Sequence, residues 1–150
     1  MTLKVEYNKT YHFTVSAAFG DIPQEKVNEL FQDGRRASHF LEIQLEYWFP
    51  ELTFVNAKGY DHIRKNSDKL YDAKCFTKGG LTYAPSVMLG AGRKVVKEDA
   101  HEHAKSIDYI ACDVVDFPHV RVRFVSGNDM VEQYPSTRIP FKDREVFFAD

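Results

Sequence analysis

Apolar and polar residues alternate through residues 3–7 and again through 11–15, on either side of Asn8-Lys9. This pattern predicts an N-terminal β-hairpin. Asp21 then offers a helix N-cap, with Pro23 in the first turn and Gln24 three residues on. Val27, Leu30 and Phe31 follow at helical spacing, and Gly34 is expected to close that helix. A second helix is expected over residues 35–49, because Ala37, Phe40, Leu41, Leu45 and Trp48 fall on one side of it. Pro50 stops it. Glu42 lies on the border of that apolar face, and Glu46 lies one turn further and more toward solvent.

Beyond Pro50 the period changes from helical to extended. Residues 52–63 and 70–76 read as two strands joined by the polar turn Arg64-Lys65-Asn66-Ser67-Asp68-Lys69. Residues 94–105 are polar and fit a helix. Residues 107–115 form an apolar strand and 119–125 an alternating one, closed by Ser126-Gly127-Asn128-Asp129. Residues 145–148 read as a last edge strand. This order predicts an α/β (α+β) fold, a mixed β-sheet flanked by helices.

The chain of 150 residues fits one domain, and its 43% hydrophobic content, with 12 Phe and 8 Tyr, suffices to fill one core. No apolar run is long enough to span a bilayer, and the first residues lack a signal-peptide layout, so a cytoplasmic location without membrane attachment is expected. Cys75 and Cys112 lie in apolar strand runs and read as buried free thiols.

Net charge is −2, which on its face disfavours a nucleic-acid partner. Its distribution changes the picture. Residues 58–97 carry nine basic residues against three acidic ones, net +6, and the rest of the chain is net −8. A basic region inside an acidic protein is compatible with docking on phosphate.

In Leu70-Tyr71-Asp72-Ala73-Lys74-Cys75-Phe76, side-chain alternation puts Asp72 and Lys74 on one strand face. A hairpin symmetric about Asn66-Ser67 places Asp61 opposite Asp72. Two facing carboxylates repel unless a cation lies between them, and magnesium is bound through one or two carboxylates, waters and substrate phosphate. Such a metal polarises a phosphodiester and lowers the pKa of a bound water, while Lys74 orients that water or stabilises developing charge. Glu42 is placed to complete the acidic pocket, with Glu46 as its alternative. Magnesium is the expected ion, with manganese able to take its place.

A helix opened by Gly34 and bearing Glu42 precedes Gly59-Tyr60-Asp61 on a strand. Asp72-Ala73-Lys74 follows after a short turn, and then a helix and a strand. Residues 34–115 so arranged resemble the catalytic core of the PD-(D/E)XK nuclease superfamily, the restriction-endonuclease-like fold. By that match Asp61 takes the place of the first acid, Asp72 the second and Lys74 the lysine, with Glu42 a looser match. Tyr60 stands where the family carries proline. The motif is short, and its specificity comes from the helix, strand and hairpin around it.

The resemblance implies a magnesium-dependent DNA endonuclease of restriction or homing type, or a phage recombination or repair nuclease. A non-catalytic DNA-binding or assembly protein on the same fold is the alternative. Lys78, Arg93, Lys94, Arg121 and Arg123 are the candidate DNA contacts, with Gly90-Ala91-Gly92-Arg93-Lys94 as a loop approaching the duplex. Asp99, His101 and His103 are read as a solvated helix face, since a spacing of two points helical side chains apart. Duplex DNA has two antiparallel strands, so a homodimer or higher homo-oligomer is expected. The N-terminal hairpin and the tail 141–148, with its adjacent Phe147 and Phe148, are its candidate contacts.

Overall fold

The computed structural model describes residues 3–150. Its centre is a six-stranded mixed sheet in the order β1-β7-β6-β4-β3-β2. The strands are β1 (Thr10–Thr14), β2 (Leu52–Ala57), β3 (Tyr60–Arg64), β4 (Leu70–Phe76), β6 (Asp108–Asp113) and β7 (His119–Ser126). A small second sheet pairs β5 (Leu81–Thr82) with β8 (Arg138–Ile139). Five helices flank the main sheet: α1 (Gln24–Phe31), α2 (Gly34–Trp48), α3 (Lys97–Lys105), α4 (Gly127–Gln133) and α5 (Arg144–Phe147). The mixed sheet flanked by helices expected from the element order is therefore what the chain forms. Among the described residues no helix is long and apolar enough to cross a membrane.

Strand parity sorts the core into two layers. Tyr71, Ile110, Cys112, Val122 and Phe124 face one side and pack with Ala37, Leu41 and Leu45 of α2. Phe76, Tyr109, Ala111 and Val125 face the other side and pack with Ala104, Met130, Phe147 and Phe148. Each fully buried Leu, Ile or Phe contributes about 1.5–3 kcal/mol, so both faces are strongly held. Cys112 is buried, Cys75 is half-buried, and both are free thiols.

Several sequence expectations are corrected. No N-terminal hairpin forms: β1 pairs antiparallel with β7, and of residues 3–7 only Tyr7 bridges to a strand, at Phe124. Burial wins over local alternation, because Val5 enters the core and the Tyr7 hydroxyl donates to Asp108 and lies 2.9 Å from the Tyr71 hydroxyl. Helix α1 starts after Pro23 with no side-chain cap, so Asp21 does not cap it. Gly34 does not close α1. It is the first residue of α2, whose N-cap Asp33 accepts the Arg35 N–H at 2.8 Å. A Cβ at position 34 would lie 3.2 Å from Cys75 Cβ, so glycine lets this helix end approach β4.

The expected strand 52–63 is two strands, turned at Gly59, whose φ of +90° favours glycine. Ser126 and its neighbours do not close a strand in a simple turn. Ser126 caps α4 by accepting the Asp129 N–H at 3.1 Å. Helix α3 begins at Lys97 and not at Lys94. The tail 145–148 is helical, not an edge strand. Phe147 and Phe148 are both buried in the protomer's own core, against Tyr134 and Phe76, so neither is left for a partner.

Candidate active site

The turn between β3 and β4 is symmetric about Asn66-Ser67, because His62 pairs with Tyr71 and Ile63 with Leu70. Continued by one residue, this register sets Asp61 opposite Asp72. The ladder stops at that point. The Ala73 N–H is bonded by Asp61 Oδ2 at 3.0 Å, a side chain taking a donor that a strand carbonyl would otherwise hold. The ladder end opens onto a cleft of about 810 Å³ lined by Asp61, Asp72, Lys74 and Glu42 together with Arg35 and Arg138.

Within the cleft Lys74 Nζ lies 3.2 Å from Asp72 Oδ2, and both side chains are about 16% exposed. The Asp72 carboxyl is pushed up to about 7, chiefly by burial and then by its hydrogen bond with Asp61, against the opposing pull of Lys74. Glu42 reaches the cleft from the third turn of α2. Burial raises its carboxyl, Asp72 adds to the rise, and His39 and Lys74 oppose it. Three acids thus share one ammonium group at this spot. This is an under-compensated cluster, the arrangement that a bound cation would relieve.

Among the described residues no three His, Cys, Asp or Glu side chains converge to hold a metal on their own. Magnesium does not require three, since it keeps several waters and takes one or two carboxylates plus phosphate. Asp61 and Asp72, facing each other at the ladder end, fit that donor set.

The remaining predicted residues separate. Lys78 is exposed beside the cleft, at a neighbouring cavity that shares Asp33, Gly34, Thr77 and Gly79 with it. Arg93 folds back, donating to the Ser86 and Leu89 carbonyls at 3.3 Å each. Lys94 is exposed in the same loop. Arg121 and Arg123 are not presented to DNA. Arg121 is bonded to Asp113 and Glu145, and Arg123, 8% exposed, is bonded to Thr10 and Asp150. The strand face they share is covered by the C-terminal residues, which the expected edge strand would have left open.

Three residues escaped the sequence reading. Arg138 joins the cleft because β8 pairs with β5, a long-range contact with no local signal. His103 does not sit on a solvated face. It lines a second cavity of about 640 Å³ that shares Asp61, Asp72 and Lys74 with the first, whereas His101 bonds the Pro135 carbonyl at 2.7 Å. The buried Ala100 and Ala104 gave the phase of α3 and would have placed His103 beside its packed side. His62 is fully buried, its Nε2 2.7 Å from the Glu42 carbonyl, and so ties β3 to the turn of α2 that bears Glu42. Burial holds its imidazole below the usual range, in the neutral form.

No family model matches this chain, and no curated protein or solved structure matches it significantly.

Proposed function

We propose that this protein is a magnesium-dependent endodeoxyribonuclease of the restriction-endonuclease-like type, hydrolysing phosphodiester bonds in DNA. The observation that carries the reading is the cluster at the end of the β3–β4 ladder, where Asp61 and Asp72 face each other with Lys74 3.2 Å from Asp72. The helix bearing Glu42, the β2–β3–β4 meander, and the crossover through α3 to β6, parallel to β4, support it as context.

Asp61 and Asp72 would hold the metal, which supplies charge stabilisation at the phosphate and a more acidic water. Asp61 is fixed for this by the Ala73 N–H. Lys74 extends from the same strand face as Asp72 and brings the one ammonium group of the cluster to the phosphate, where it stabilises charge that grows in the transition state. Glu42 adds a third acid, on a helix locked by its Asp33 cap and by His62. Lys58, Lys65, Lys78, Lys94 and Lys97 are exposed and form no ion pair among the described residues, which leaves their charge available to a polyanion.

Incubation of the protein with mixed plasmid DNA tests the reading. Cleavage is expected with magnesium or manganese, none with excess chelator, and none with Asp72→Asn. Wild-type protein that binds DNA but leaves it intact in every metal overturns it in favour of the binding protein on the same fold.

A further inference from the structure

The cluster at the end of the ladder lies where two cavities meet, and only the second carries aromatic side chains. The first, of about 810 Å³, presents Arg35, Arg138, Ser38, Thr82 and the Gly79-Gly80 backbone. These groups suit phosphate and sugar oxygens. The second, of about 640 Å³, is lined by Tyr60, His103, Pro85, Val87 and Met88, with Lys58 at its rim. Both share Asp61, Asp72 and Lys74. The second is therefore a recess of mixed apolar, aromatic and polar walls that adjoins the proposed bond-breaking centre, within the volume of about 300–1,000 Å³ usual for small-ligand sites.

We infer that this second cavity is a nucleobase pocket, which receives the base next to the phosphate held at Asp61, Asp72 and Lys74. The substrate class rests on the nuclease reading, but the pocket's chemistry is its own. An unstacked base has two apolar faces and a polar edge. Aromatic and apolar walls replace its lost stacking, and such contacts tolerate any base. Asn56, Lys58 and Ser86 in the same wall would meet the base's polar edge. The strand then runs with its backbone along the polar cavity and one base turned into the other. Val87, 63% exposed, and the turn Ser86–Met88 form the pocket's outer wall.

Titration calorimetry on the full chain in magnesium buffer tests this with two small probes. One is thymidine 3′,5′-bisphosphate, the other the same deoxyribose bisphosphate without a base. The wild type should bind the thymidine compound about tenfold more tightly, the scale of one stacked base. His103→Ala should bring the two probes to within about twofold, as should Val87→Asp at an exposed position that does not disturb folding. Equal affinity on the wild type, no saturable binding of either probe, or a preference unchanged in both variants overturns the pocket. The plasmid assay separates the two claims. Protein that cuts DNA without a base preference keeps the nuclease reading and loses the pocket. Protein that prefers the base but never cuts keeps the pocket and loses the nuclease.

Discussion

Asp72 on β4 and Asp113 on β6 lie on the same face of neighbouring strands, and each is a half-hidden or hidden acid beside cations. Asp113, 1% exposed, is matched by two guanidinium groups, Arg121 at 2.8 Å and Arg144 at 2.9 Å, and its other oxygen accepts the Val115 N–H. Asp72 shares a single ammonium, that of Lys74, with Asp61 and with Glu42 nearby. In the first cluster the one buried acid meets two guanidinium groups, whose other partners Asp116 and Glu145 are exposed, and it pins α5 to the sheet. The second has too few cations. Asp113 is the more deeply buried of the two acids, so the contrast lies in compensation. A buried acid that is over-matched is built to hold the fold, and one left short is built to take something else up.

The largest effect should separate the two by what each loss damages. Asp61→Ala or Asp72→Ala should lower magnesium-dependent cleavage at least about a thousandfold, the several kcal/mol expected of a lost metal ligand, without lowering stability in metal-free buffer. Asp113→Ala should do the reverse in kind, costing about 1–3 kcal/mol in urea unfolding, because two part-buried guanidinium groups lose their inner anion and keep only the exposed Glu145 and Asp116. If Asp72→Ala unfolds the protein as Asp113→Ala does, the distinction collapses. Next, Lys74→Ala should slow cleavage roughly a hundredfold to a thousandfold while DNA binding in a gel-shift assay persists, and Lys74→Arg should restore little of the rate.

A smaller effect follows from the raised Asp72 carboxyl, at about 7 in the fold against 3.8 for the free side chain. Between these values the unfolded chain gives up its proton and the folded chain keeps it. Stability from this group is therefore present below about pH 4 and is lost as pH rises through 7. In chelator, Asp72→Asn should match the wild type at pH 4 and exceed it by roughly 2–4 kcal/mol at pH 8. Magnesium should narrow that gap, and a gap that is flat with pH would sink the assignment. The smallest change belongs to Asp116, which touches only the outer side of the other cluster, 2.7 Å from Arg144 and 67% exposed. Asp116→Asn should move the unfolding midpoint by less than about 1 kcal/mol, since Asp113 still holds that guanidinium.

The parts of the site legible in the sequence were those set by short-range rules. Strand alternation put Asp72 beside Lys74, and a symmetric turn fixed the register of Asp61, because both depend only on neighbours along the chain. Helix period placed Glu42 on the border of α2. The failures all involve distant partners. Residues 3–7 and 11–15 alternate as a hairpin does, yet β1 found β7 more than a hundred residues away. Residues 145–148 carry strand-forming residues, but the aromatic pair packs better on both Phe76 and Tyr134 from a helical turn. Arg121 and Arg123 look like free cations until Asp113, Glu145 and Asp150 arrive from elsewhere.

The pairing of Thr10–Thr14 with His119–Ser126 also has a consequence in time. A ribosome emits β1 first, and its partner strand follows only after more than a hundred further residues. The Thr10 hydroxyl waits longer still, since it donates to the Phe148 carbonyl at 2.6 Å. The hairpins β2–β3 and β3–β4 close within a dozen or so residues and can form while synthesis continues. The acidic cluster therefore has its local frame before the sheet around it is complete, and β1 remains an unpaired strand throughout that interval. Non-local closures of this kind are slow and leave apolar edges exposed, so the yield of native protein should depend on how quickly the last strands emerge.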